Sequence, residues 1–154
     1  MKIILKFASN EQTIVLILGE LECRVHFVKK TLVLGEEEFD SIALRYKKIV
    51  TQLITDYSLG KAIIIAPFPP SDFGLDNPRF PRNGLLFERV LVTKKIKNSL
   101  VKNASESFIV IDNSMNLSCQ NGSLDRKYTD DGVHLNFLGS KIVEDEIKIM
   151  DLFQ

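Results

Sequence analysis

The segment Thr129-Asp130-Asp131-Gly132-Val133-His134-Leu135-Asn136-Phe137-Leu138-Gly139 sets an aspartate three residues before a histidine. On a loop that leads into a helix, this spacing lets the Asp131 carboxylate reach Nδ1 of His134. That contact fixes the imidazole tautomer and leaves Nε2 able to take a proton, as a general base must. Gly132 permits the tight backbone, and Gly139 lets the following helix pack closely. A second polar group, Gly19-Glu20-Leu21-Glu22-Cys23-Arg24-Val25-His26, directly follows an apolar run. Glu20, Glu22 and Arg24 alternate there and either line a site or are simply solvated or paired. Arg24 could bind a carboxylate or phosphate, or pair with Glu22 or another carboxylate. Cys23 and His26 have the residue types of a nucleophile and its base, but such a pair needs spatial contact and a third group. Free cysteine is among the most buried residue types, so Cys23 reads as a small core residue and His26 as structural.

The elements that must position these groups follow from apolar period. Thr13–Leu18 (TIVLIL), Ala62–Ala66 (AIIIA) and Phe108–Ile111 (FIVI) are short, continuous, β-branched runs, the pattern of strands buried on both faces. Between them the period changes to that of an amphipathic helix. From Glu36 to Tyr57 the apolar stripe is Phe39, Ile42, Ala43, Tyr46, Ile49, Val50, Leu53, Ile54 and Tyr57. Three glutamates open that helix where its dipole favours them, and Gly60 stands just past its end. A second helix is expected over Asn83–Lys102, with Leu86, Val90, Leu91, Ile96 and Leu100 inward. A third is expected over Phe137–Met150, with Leu138, Ile142, Val143 and Ile147 inward.

Alternating strand and helix predicts an α/β fold: a parallel sheet with helices on both faces, in three αβα layers. Ligands in such sheets bind beyond the carboxyl ends of the strands, here Gly19–Arg24, Pro67–Phe73 and Asp112–Asn116. Phe68–Pro81 is expected as a surface loop near the site, with Ser71 and Asp72 capping or turning it. Asn113–Asp130 reads as a long polar loop with no clear period. Left at an edge, the run Thr13–Leu18 would expose unpaired backbone. Met1–Phe7 as a hairpin partner, or a second chain, would cover it.

At 154 residues the chain reads as one domain, 1–154. Its 20 basic and 20 acidic residues cancel, which argues against a general nucleic-acid binder. The lysines from Lys94 to Lys102 read as the wet face of a helix. Cys23 and Cys119 have no metal-ligand spacing and read as cytosolic thiols. No apolar run reaches the ~20 residues that span a bilayer, and Met1–Phe7 is too short and lysine-broken for a signal peptide, so a cytoplasmic location is expected.

The block D-G-x-H-L-x-x-x-G over Asp131–Gly139 resembles the last conserved block of the SGNH (GDSL-type) hydrolases, a family of esterases, lipases and acyl-carbohydrate deacetylases. The resemblance implies a flavodoxin-like sheet, His134 as general base and Asp131 as its orienter. Gly19–Arg24 is similar to that family's G-x-N-D block, most of all to a subgroup that reads G-E-I-D-C-R. It implies substrate-binding roles for Gly19, Glu20, Glu22 and Arg24. The oxyanion-donating Asn of the usual block is Leu21 here, which cannot donate, and the acidic position is Glu22. A small-molecule ester or acylated carbohydrate is the substrate class implied, with no metal or organic cofactor.

The family's G-D-S nucleophile block is absent. Only Met1–Leu18 precede Gly19, which leaves no room for the first two βα units. The chain is therefore expected to be the C-terminal part of a split or truncated hydrolase, or a degenerate relative. Ser9 follows an early strand-like run but lacks the flanking Gly and Asp, and the connection after it is too short for a crossover helix. The competing expectation is a non-catalytic binding or assembly module, self-associating or joined to a partner chain at the sheet edge.

Overall fold

The computed structural model describes residues 3–6, 13–28, 33–74 and 81–152, with the backbone alone for 3–6 and 151–152. Ser9 lies outside these residues. Four strands, β1 (Ile3–Lys6), β2 (Thr13–Ile17), β3 (Lys61–Ile65) and β4 (Phe108–Ile111), form one sheet in the order β1-β2-β3-β4. The three apolar runs are its parallel part, with Ile14 opposite Ala62 and Ala62 opposite Phe108. β1 runs antiparallel to β2, Ile3 against Leu16 and Lys6 against Thr13. The chain's own N-terminal segment thus covers the free edge of β2.

Alternation along the strands splits the core in two. Ile14, Leu16, Ala62, Ile64 and Phe108 face helices α1 (Glu36–Asp56) and α2 (Leu86–Lys102), packing on Phe39, Ile42, Val92, Ile96 and Leu100. Ile63, Ile65 and Ile111 face α4 (Phe137–Leu152) and pack on Leu117, Leu124 and Val143. This is a three-layer αβα, flavodoxin-like architecture. β3 is buried on both faces, whereas Thr13, Val15 and Ile17 of β2 are half-buried. Two helices cover the first face and one long helix the other, so β2 is not enclosed as the apolar run suggests.

Helix faces differ from the sequence reading in three places. α2 begins at Leu86, after Gly84 at φ +69° and an extended Leu85, because Asn83 is tied to the Arg24 and Val25 carbonyls instead. Its inward face carries Arg89, Val92, Thr93, Ile96, Ser99 and Leu100, and Leu91 turns outward. Ile49 in α1 and Tyr57, just past its end, are exposed. In α4, Leu138 is exposed, because the first turn sits on Tyr128 through Gly139, where a Cβ would lie 2.7 Å from the Tyr128 carbonyl oxygen.

The 113–130 segment is ordered by local bonds. Asp112 accepts from the Ser114 amide at 2.9 Å to open α3 (Ser114–Leu117), and Asp125 accepts from the Lys127 amide at 3.1 Å in a 3₁₀ turn, Arg126–Tyr128. Leu117 and Leu124 anchor it in the core. Among the described residues, no helix is long and apolar enough to cross a membrane.

Candidate active site

Three loops meet beyond the carboxyl ends of the parallel strands, where ligands of open α/β sheets bind. The first follows β2. Gly19, at φ +89°, lies under Pro67, where a Cβ would stand 2.7 Å from Pro67 Cγ. The chain then winds as a π-helical turn, Glu22–His26, closed by the Phe27 amide on the Glu22 carbonyl at 3.0 Å. The i, i+4 spacing brings Arg24 Nε to Glu20 Oε1 at 2.6 Å and its Nη2 to Oε2 at 3.4 Å, so among the described residues Glu20 pairs with Arg24. Glu22 instead takes the Tyr46 hydroxyl, whose pKa burial raises first and this bond raises further. Glu20 and Arg24 help to line the cleft; Gly19 and Glu22 are not among its lining residues.

Cys23 is buried and His26 exposed, so the two do not form a nucleophile–base pair. Burial pushes the Cys23 thiol far above its usual range, with the neighbouring Thr93 hydroxyl opposing in part. A thiol held protonated is a poor nucleophile.

The second loop follows β3. The Ser71 hydroxyl donates to the Phe73 carbonyl and accepts from the Phe73 amide at 3.1 Å, the turn its residue type suggests. Asp72 stands 3.6 Å from Arg126, whose guanidinium lies over the Phe73 ring at 4.6 Å. Arg82 donates to the Phe73 and Gly74 carbonyls, and buried Arg89 donates to the Ser71 carbonyl at 3.0 Å.

The third loop carries the histidine. Asp131 Oδ1 accepts from the Val133 and His134 amides, both at 2.8 Å, and Oδ2 stands 2.6 Å from His134 Nδ1. An ionised carboxylate can only accept, so Nδ1 carries the proton of that bond and Nε2 is left with its lone pair. Partial burial raises the Asp131 pKa, but the His134 amide, the imidazole and the Val133 amide outweigh it and hold the carboxyl well below its usual range. The ring is 81% exposed. Thr129 braces the loop by accepting from the Gly132 amide at 2.9 Å. Gly132, at φ +75°, lies against Ser71 and the Phe73 carbonyl, and Gly74, at φ +109°, against the Asp131 carbonyl. Only two glycines allow these backbones to touch.

Between the loops lies a cleft of about 40 Å³, lined by Glu20, Cys23, Arg24, Ser71, Arg82, Arg89, Thr93, Gly132 and Val133, among others. His134 follows Val133 in the chain. Of the residues singled out in sequence, the structure pairs Asp131 with His134 and Glu20 with Arg24; the cleft joins the second pair to Gly132 and Val133, which lie between Asp131 and His134 in the chain, and adds Arg82, Arg89 and Thr93. The spacing of Arg89, Thr93 and Ile96 on one helical face is the one sequence signal that could have found Arg89 and Thr93.

No family model and no curated protein matches the chain. Among solved structures it is similar to one described as "a putative platelet activating factor from Streptococcus pneumonia", at 16% identity and a TM-score of 0.63. The likeness covers 90% of this chain and 58% of that one, so this chain spans little more than half the neighbour's length. At that identity the likeness establishes the fold.

Proposed function

We propose that this chain is an SGNH-type, ester- or acyl-hydrolase-like domain in which His134 is the general base and Asp131 its orienter. The observation that carries the reading is the 2.6 Å contact between Nδ1 and Oδ2, with an exposed ring on the loop whose Gly132 and Val133 line the cleft. Among the described residues no hydroxyl or thiol hydrogen-bonds to His134, so the proton it takes is that of a water. The water oxygen bonds to the ester carbonyl carbon, its proton passes to Nε2, and the ester C–O bond breaks as that proton moves to the leaving oxygen. Asp131 stays ionised and steadies the imidazolium. General-base assistance of this kind is worth ~10²–10⁴-fold, well short of a full triad with an oxyanion hole. Leu21, 38% exposed, offers no side-chain donor to an oxyanion. A weak esterase acting on small acyl groups, of the kind carried by sugars, fits these parts.

The second reading, a binding module that keeps the hydrolase fold, is favoured by the same lack of a described hydroxyl or thiol on His134. Hydrolysis of p-nitrophenyl acetate separates them. The hydrolase reading expects wild-type turnover above background, lost in His134→Ala and reduced in Asp131→Asn. Equal, near-background rates for all three proteins would leave the binding module.

A further inference from the structure

Asn136 stands two residues past His134 and immediately before α4, and its side chain is engaged at both ends. Oδ1 accepts from the Gly139 amide at 3.2 Å, and the Asn136 main-chain carbonyl accepts from the Ser140 amide at 2.9 Å, the bonds of a helix N-cap. Nδ2 donates to the Lys127 carbonyl at 3.0 Å and to the Asp130 carboxylate at 3.3 Å. The carboxamide fits one way round only, because turned over its oxygen would face two acceptors and its nitrogen an N–H. The Asn136 amide is held as well, by the Tyr128 carbonyl at 2.9 Å.

With the Thr129–Leu135 bridge, these bonds close the base of the loop that carries the Asp–His pair. Inside the loop, Asp131 fixes the ring relative to itself through the Val133 and His134 amides and Nδ1. Those local bonds do not set how the pair stands on the rest of the protein. On one side Gly132 rests against Ser71 and the Phe73 carbonyl. On the other, Asn136 fastens Asp130, the residue before Asp131, to the Arg126–Tyr128 turn and to α4. A cap needs only the oxygen, and serine or aspartate would cap α4 as well. The donating end is what capping leaves unexplained. We infer that Asn136 is a positioning residue for His134: its Nδ2, through Lys127 and Asp130, fixes the stance of the Asp131–His134 pair on the body of the fold. That the held group is a general base rests on the hydrolase reading, whereas the holding of the loop does not.

The test compares Asn136→Ser and Asn136→Asp, which keep a capping oxygen without the donating N–H, with Asn136→Ala, which loses both ends. Both donor contacts are exposed, so water replaces them and the fold survives their loss. Backbone ¹⁵N relaxation of the full chain reads the loop, and p-nitrophenyl acetate kinetics read the base. In the wild type the Asp131, Gly132, Val133 and His134 amides should have order parameters near ~0.85, and both capped variants should bring them toward ~0.6 while the α4 amides stay rigid. In the same variants kcat should fall at least about tenfold with KM within about twofold, since a misplacement of about 1 Å costs ~10²-fold. Loop order that only Asn136→Ala lowers would make the residue a helix cap and overturn the inference. So would loosening that spreads equally into the first turn of α4, or a loosened loop with unaltered kcat. A loosened loop in a protein whose wild type shows no turnover would remove the hydrolase reading alone, and turnover with an unmoved loop would remove this inference alone.

Discussion

Gly132→Ala probes the contact on which the placement of the base depends. At φ +75° an L-residue carries a backbone penalty of ~1–2 kcal/mol. The new methyl would also overlap the Phe73 carbonyl oxygen and stand 2.5 Å from Ser71 Oγ. Phe73 cannot give way freely, because its carbonyl also accepts from Arg82 and its amide donates to Ser71. Overpacking of this sort costs ~1–3 kcal/mol. Together the two effects amount to about 2–5 kcal/mol. At ~2–4 °C per kcal/mol for a chain of this length, Tm should fall by roughly 4–20 °C. The loop that relaxes is the one carrying Asp131 and His134, and a displacement of about 1 Å at a reacting group costs ~10²-fold in rate. Thermal melts by circular dichroism and p-nitrophenyl acetate turnover read the two effects. A variant that melts within 1 °C of wild type with unchanged turnover would show that the second and third loops do not touch, and the site would lose its frame.

Two further outcomes follow from the ionisable groups. A thiol reagent at pH 8 should label exposed Cys119 at once and Cys23 only after denaturation, because burial holds the Cys23 thiol protonated; rapid labelling of both would contradict that packing. Asp131 has a folded-state pKa below its unfolded value, so its stabilising contribution is present above the ordinary carboxyl range of ~4 and is lost as pH falls through the folded value. Urea unfolding should find Asp131→Asn less stable than wild type at pH 5, with the gap closing only below about pH 4. A gap that has already vanished at pH 5 would show that Asp131 is not held ionised in the native chain.

The strands and the Asp131–His134 pair were legible because both are written in short stretches of chain. A continuous β-branched run such as AIIIA has few uses other than a central strand. An acidic group three residues before a histidine reaches its ring through a single turn. What could not be read was set by contacts remote in sequence. Leu91 and Leu138 have the right type for the core, but α2 meets the sheet through Val92, Ile96 and Leu100, and α4 starts on Tyr128 through Gly139. The 113–130 segment has no period because aspartate side chains that accept from the amide two residues on, Asp112 from Ser114 and Asp125 from Lys127, order it instead of a hydrophobic stripe. No motif in the sequence gives Arg82 or Arg89 a role. Their place in the cleft comes from carbonyls of a loop whose path the sequence does not specify, and Thr93 enters with them.

The account turns on which nitrogen of His134 carries the proton. The chain has two histidines, His26 and His134, so long-range ¹H–¹⁵N correlation spectra assign both rings without ambiguity. In the neutral ring, His134 should show a protonated Nδ1 and a lone pair on Nε2, and Asp131→Asn should shift the ring toward the other tautomer. A wild-type ring protonated at Nε2, or a tautomer balance that Asp131→Asn leaves unchanged, would mean that the carboxylate does not orient the imidazole, and the general-base reading would fail with it.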